Sequence, residues 1–589
     1  MEALSDFDIN HALKTYLNNP LETHTPEAHQ DLLECEHNPE DLTPALVNTV
    51  LNPIVDAITE NPEAVARPAN FDSLQFLLKC APTRQDDASQ THVPDNDLRQ
   101  FSLIPTQSLS KLLDLILSAL SAEADSVHND IEADEQDAIP QHKQLLEMLS
   151  FLLMWCFTSV ETRVSSEKSA APAARGRGGK AAAKPKAGKD APWDPSMQIQ
   201  SALNTMAKVM KLKLARIFVT TSERDTFIGL FTRPVYLMME NEARVKNTAI
   251  KMHAFKVLCI AIKHHGHASG AQTNIIQSLL YFEHLSEPMA ELLNILAEQY
   301  DYPQLSEEVL RELSNQEFSS SDLKGPKSVS TFITKFSELA PRQVIKQVML
   351  LAKLLDSESY TLRCSIIEVC GNLIAMLSKQ EGEERSENHK GQINAFFEVL
   401  EERFLDINPY CRCRAIQVYM KLCDLETKYP KRRQTAADLA CRSLEDKSSN
   451  VRRNAIKLLG KLVQTHPFAV LHGGQLSYSD WNSRLEVCEA ELNALKPPQE
   501  AAGMVEQQDA TVDEELLDDA TQMSPVKEKP AMTEEQKQAA FEKAAAEAVT
   551  SEMMSKLTLT RRYYIEALKF IEVLHEASPI ITQLLSSKN

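Results

Sequence analysis

Two arginines set among glycines, Arg175-Gly176-Arg177-Gly178-Gly179-Lys180, form one group of side chains suited to chemistry with a polyanion. Glycine leaves the backbone free to follow a narrow DNA minor groove, where a guanidinium meets a concentrated negative potential. Lys184, Lys186 and Lys189 add cations that can each neutralise a phosphate and release counterions. From Lys168 to Lys189 there are seven basic residues and no acidic one. The competing reading is a solvated linker or a nuclear-import signal, because the flanking prolines of a minor-groove hook are missing. A second group is Tyr300-Asp301-Tyr302-Pro303: the residue before proline disfavours the helical region, so these residues fall at a turn between helices. Two tyrosines around an acid make a candidate docking knob for a protein partner; otherwise the rings merely cover helix ends. A third is Ser524-Pro525-Val526-Lys527, a Ser-Pro-x-Lys pattern that suits a cyclin-dependent kinase as modifier and would place a phosphate in an already acidic stretch.

Other groups read as structural. His264, His265 and His267 resemble a metal cluster but sit beside Gly266 without a matching cysteine or carboxylate pattern. Cys411 and Cys413 are two apart on an expected helix and point in different directions. Gly-x4-Gly-Lys-Ser/Thr, His-Glu-x-x-His and Gly-x-Ser-x-Gly do not occur. The expectation is a non-enzyme with no cofactor and no metal.

The elements that would position these groups are announced by a repeat. Asp406-Ile-Asn-Pro-Tyr-Cys-Arg412 returns forty residues later as Asp446-Lys-Ser-Ser-Asn-Val-Arg452, with Ala415 matching Ala455 and Ile416 matching Ile456. An upstream copy, Asp356 to Arg363, has a turn one residue longer. Such a period, with an acid followed by an apolar residue and arginine, is that of two-helix HEAT repeats. Each turn aspartate can accept from the following backbone N–H groups, and each arginine can reach the neighbouring repeat's aspartate. Asp356, Arg363, Asp406, Arg412, Asp446 and Arg452 are therefore read as a structural ladder in preference to a ligand site. Helix pairs are expected at 341–355 with 362–374, at 391–405 with 410–424, and at 432–444 with 450–464.

Composition agrees. Glycine supplies only 15 of 589 residues and aromatics 6%, which favours helices joined by short turns over strands. The formal charge of −21 excludes a uniformly basic DNA-coating protein, though not a local basic patch. Eleven scattered cysteines suit a reducing compartment. The N-terminus has no secretory signal pattern, and the apolar run from Leu145 to Val160 contains Glu147 and is short for a membrane span of ~20 residues. A soluble intracellular chain without a membrane partner is expected. The fold class is all-α, an α-solenoid of HEAT-type helix pairs with basic and acidic insertions. The expected organisation is a helical N-terminal region (1–163), a basic low-complexity loop (164–192), a helical solenoid segment (193–313) and HEAT repeats (328–470). An irregular then acidic linker (471–535) and a helical C-terminal segment (536–589) follow. Within this scheme 121–139 reads as acidic and polar, with the next helix at 141–160, and a weak break is expected near Ser578-Pro579.

In its order of segments the chain resembles the D-type HEAT subunit of condensin I. The residues are the Glu358-Ser-Tyr-Thr-Leu-Arg-Cys364 run, Tyr281-Phe-Glu-His-Leu285 with the Tyr-Asp-Tyr turn, the Asp446 repeat, and a basic linker ahead of Trp193-Asp194. The resemblance covers roughly 50–480. It implies a scaffold that binds the kleisin subunit and an SMC ATPase head, assists ATP-driven DNA loop extrusion in mitosis, and resides in the nucleus and on chromosomes with a cytoplasmic pool. Double-stranded DNA is then a further partner, and the ATPase belongs to the SMC subunits. Family members are about twice as long, so this chain would be an N-terminal half. The rival reading is a nuclear transport or trafficking adaptor, which uses the same solenoid but has little use for an Arg-Gly-Arg insertion.

Overall fold

The computed structural model describes residues 7–18, 32, 43–79, 106–134, 138–169, 194–319, 321–379, 387–468, 475–495 and 534–586. Among them there is no β-strand, and the architecture is all-α. The chain forms two compact units, Met1–Ser365 and Ile366–Asn589.

The first unit begins with α1 (Ile9–Asn18), α2 (Pro44–Glu60), α3 (Pro68–Lys79), α4 (Thr106–Glu132) and α5 (Ile139–Ser169). Thr43 opens α2 by accepting the Leu46 N–H, with Pro44 at the position where a missing N–H costs nothing. The acidic, polar stretch beyond Ala122 is still helical, forming the last turns of α4 as far as Glu132. Ala124, Val127 and Ile131 continue its buried stripe at helical spacing, while its acids lie mainly on the other side. Helix α5 is longer than its apolar core suggested. Residues 139–164 are long and apolar enough to cross a membrane, yet 94% of their 18-residue apolar window is buried, with Phe151, Trp155 and Phe157 packed inside the protein. The helix also overruns the expected start of the basic loop: Val164 is buried, and helix continues to Ser169.

Next come α6 (Ser196–Met210), α7 (Leu214–Ile217), α8 (Thr221–Met239), α9 (Glu242–Lys246) and α10 (Thr248–His265). Thr220 and Glu223 cap α8 reciprocally. A buried ion pair joins α9 to α5: Arg244 Nε lies 3.1 Å and Nη2 3.0 Å from the two Glu161 carboxylate oxygens. Arg244 Nη1 also reaches Ser196 Oγ at the start of α6. Helices α11 (Ala268–Tyr281), α12 (Ser286–Tyr300), α13 (Gln304–Asn315), α14 (Lys324–Leu339) and α15 (Pro341–Leu351) then stack in two layers. α11, α13 and α15 pack in succession in one layer and α12 on α14 in the other. This alternation is how amphipathic pairs bury faces that neither pair could bury alone.

The unit division falls within α16 (Tyr360–Ser378). The second unit continues through α17 (Glu387–Glu402), α18 (Pro409–Leu422), α19 (Pro430–Ser443), α20 (Ser449–Gln464), α21 (Tyr478–Leu495) and α22 (Glu534–Ser586). α18 packs on α20, α19 on α20, and α22 along α21 and α19. At the approach of α16 to α18, Gly371 faces Val418 so closely that a Cβ would collide with its side chain. The break expected near Ser578-Pro579 does not occur. Pro579 removes one backbone donor inside α22, and the helix continues past it, with Ala577 buried just before.

Candidate functional site

The Tyr300 turn is built by the end of α12. Asp301 adopts the left-handed conformation (φ 49°, ψ 53°), which aspartate tolerates better than most side chains. The N–H groups of Asp301 and Tyr302 both go to the Leu296 carbonyl. Lys263 on α10 donates from Nζ to the Asp301 carbonyl at 2.9 Å. No local pattern announces that lysine, because it lies 38 residues away. The Asp301 side chain is exposed and both tyrosines are half-buried. Burial pushes the Tyr300 phenol up from its ordinary range. The turn thus carries an exposed carboxylate and two half-buried aromatic rings on a fixed backbone.

The turns of the repeats share one construction. Arg412 Nη1 donates to the carbonyls of Asp406 (2.7 Å) and Ile407 (3.0 Å). Arg452 does the same to Asp446 (2.7 Å) and Lys447 (3.2 Å), and Arg363 to Ser357 (2.6 Å) and Glu358 (3.2 Å). Each arginine therefore reaches back six and five residues and ties its helix to the preceding turn. In the second unit Arg412 also spans to the next repeat, with Nε 2.7 Å and Nη2 2.9 Å from the Asp446 carboxylate oxygens. Asp446 accepts the Ser448 N–H at 2.7 Å, and Asp406 accepts the Asn408 N–H at 2.8 Å. In the upstream copy Ser357, and not Asp356, occupies the matching place, and its Oγ accepts the Ser359 N–H at 3.2 Å. The extra turn residue shifts Asp356 outward, where it is exposed.

Burial tends to raise the Asp446 carboxyl, but the Arg412 hydrogen bonds and the Ser448 N–H outweigh it and hold it below its ordinary value. Beside the Asp406 turn, Leu405, Ile407 and Tyr410 are exposed.

The histidines near Gly266 are spent separately. His265 Nε2 lies 2.6 Å from the Met210 carbonyl, and His267 lies 3.5 Å from the Tyr236 hydroxyl. Burial pushes both imidazoles down. Cys411 and Cys413 are buried in α18. Arg175, Arg177, Lys180, Lys184, Lys186 and Lys189 lie outside the described residues, as does Ser524. The chain resumes from the basic segment at Asp194, whose Oδ1 accepts from Ser196, the residue clamped by Arg244.

A second charged cluster has no counterpart in the sequence reading. His142 of α5 lies between Glu123 (Nδ1, 2.7 Å) and Asp130 (Nε2, 2.7 Å) of α4. Burial lowers the His142 value, yet the two carboxylates outweigh it and the imidazole is held above its ordinary value. The signal was present only as two acids seven residues apart on one helix face.

Stacked helix pairs with arginine-tied turns define a HEAT-type α-solenoid protein, and residues 430–466 match the HEAT repeat profile. Residues 106–271 match the family described as non-SMC mitotic condensation complex subunit 1, N-term. The chain is 37% identical to condensin complex subunit 1 of Schizosaccharomyces pombe over 494 residues, 83% of this chain and 42% of that protein. It is 34% identical over 554 residues to the Saccharomyces cerevisiae protein of the same name, covering 92% of this chain and 45% of the relative. With the human protein, identity is 26% over 360 residues, covering 60% of this chain and 25% of that one. The chain belongs to the condensin complex subunit 1 family and spans less than half the length of these relatives.

Proposed function

We propose that the chain is a non-catalytic scaffold of a condensin complex, binding a kleisin subunit, an SMC ATPase head and double-stranded DNA in mitotic chromosome condensation. The observation that carries this reading is 37% identity running through 83% of the chain to a condensin complex subunit 1. ATP turnover then belongs to the SMC partner, in accord with a sequence that lacks a phosphate-cradling Gly-x4-Gly-Lys-Ser/Thr. The stacked helices serve the kleisin as an extended binding surface. The basic segment around Arg175 and Arg177 serves DNA. Ser524 is the site for a cyclin-dependent kinase, and the place of action is the nucleus and its chromosomes.

For the SMC head the reading assigns the Tyr300-Asp301-Tyr302 turn. The test is capture of an isolated SMC head by the wild-type chain and by Tyr300→Ala/Tyr302→Ala, which leaves the Asp301 backbone and its Lys263 tie in place. If the rings are hot spots, the pair of substitutions weakens capture by about 2 kcal/mol or more, roughly thirtyfold. Equal capture by both proteins ends the docking assignment. Capture by neither ends the head-binding role of this part of the chain.

A further inference from the structure

In the second unit a cavity of about 280 Å³ opens between the start of α19, the end of α20 and the middle of α22. Leu462, Phe468 and Phe570 give it apolar walls and are themselves buried. Its rim is cationic. Lys431 and Lys569 are exposed, and among the described residues neither has a carboxylate partner. Arg433 is only 6% exposed, and its N–H groups go to the carbonyls of Lys428, Thr465 and Cys423 and to the Thr465 hydroxyl, all neutral acceptors. Glu566, the one acid in the lining, is engaged by Arg562 at 3.3 Å. Asp424 acts on Arg433, so the unpaired rim cations are Lys431 and Lys569, and an apolar recess flanked by two such lysines fits an acidic segment that carries large aliphatic side chains.

The chain contains such a segment close by. Between the end of α21 at Leu495 and the start of α22 at Glu534 lies Asp513-Glu514-Glu515-Leu516-Leu517-Asp518-Asp519, two leucines bracketed by five acids. It is also within reach. α21 and α22 run antiparallel, with Tyr478 against Glu572 and Cys488 Sγ 3.4 Å from the Leu557 carbonyl. Leu495 is therefore level with the stretch near Val549, about 20 residues or ~30 Å along α22 from Phe570. Leu516 is 21 residues beyond Leu495, a maximum span of about 70 Å. Tethering at that distance supplies a local concentration on the order of millimolar, which a free peptide would have to match.

We propose that this cavity is a docking site for the chain's own acidic segment, with Leu516 and Leu517 against Leu462, Phe468 and Phe570, and the flanking acids toward Lys431, Arg433 and Lys569. The test uses the full chain, its Leu516→Ser/Leu517→Ser form, and a fluorescent peptide of residues 510–522 followed by anisotropy. The peptide is expected to bind the serine form at least about tenfold more tightly than wild type, where the tethered copy competes. Adding Lys431→Glu/Lys569→Glu to the serine form, at two exposed positions that leave the core intact, is expected to weaken binding again by about tenfold or more. Equal affinity for wild type and serine form, no binding to either, or indifference to the charge reversal each overturns the proposal. Sedimentation of the wild type as a dimer that the serine form does not make would place the leucines in a second copy and overturn docking within one chain.

Discussion

The guanidinium of Arg412 closes two turns at once, its own and that of the following repeat, so its removal acts on a pair of helices rather than on one. Both partners are largely buried, with side chains 16% and 12% exposed, and the contact is bidentate. That places it above ordinary surface ion pairs. A double-mutant cycle with Arg412→Ala and Asp446→Ala is expected to give a coupling energy of about 1–3 kcal/mol by chemical denaturation. The pH dependence has a definite sign. The folded-state value of Asp446 lies below its ordinary 3.8. The stabilisation is therefore complete above that value and is lost as pH falls through the lowered one. Wild type should thus lose stability as pH falls below about 4, along a slope that Arg412→Ala flattens. Identical slopes would mean that Arg412 does not hold the carboxylate.

At the scale of elements, the α4–α5 contact depends on the Glu123–His142–Asp130 cluster. Glu123 is buried, and its carboxyl is raised by burial against the lowering effect of His142. His142→Ala would strand that acid and is expected to cost about 2–4 kcal/mol, read as a lower thermal midpoint. The groups facing the imidazole are Glu123 and Asp130 of α4, with Glu63 acting on Glu123 from the segment before α3. Because the folded-state His142 is raised above 6.5, its stabilisation is full below that pH and is lost as pH rises through the raised value. The wild-type midpoint should fall as pH rises above about 6.5, and the alanine variant should lack that component. A parallel course for the two proteins would refute the assignment. The same cluster shows why part of the fold is hard to read from sequence. The Asp406 and Asp446 turns are legible because their caps and Arg ties all lie within seven residues of chain. The last turns of α4 are not, because their acids mask the helical pattern until Ala124, Val127 and Ile131 are placed on one stripe. Asp356 is misleading for a different reason: one extra turn residue transfers its place to Ser357. Lys263 beneath Asp301, and His142 between its two acids, are tertiary pairings that no local pattern encodes.

At the scale of the whole molecule, the formal charge of −21 opposes DNA at long range, so any DNA contact must come from a local concentration of cations. Ionic screening helps: the Debye length is about 10 Å at 0.1 M salt, and charges elsewhere on the surface are then largely hidden from a duplex held by one segment. Residues 170–192 carry six basic residues, Arg175, Arg177, Lys180, Lys184, Lys186 and Lys189, and one acid, Asp190. Replacing them with a Gly-Ser segment of equal length leaves α5 intact to Ser169 and keeps the Asp194–Ser196–Arg244 tie at the start of α6. If all six cations meet phosphates, the plot of log affinity against log salt should become shallower by about 5. If only the two arginines do, the change is about 2. Affinity at low salt should fall in either case, and the loss should be similar for duplexes of different sequence unless the arginines enter the minor groove, where A·T-rich DNA would lose more. Retardation assays across a salt series measure all three quantities together. An unchanged affinity with an unchanged slope would remove DNA from the role of this segment and leave it as a solvated connection between α5 and α6.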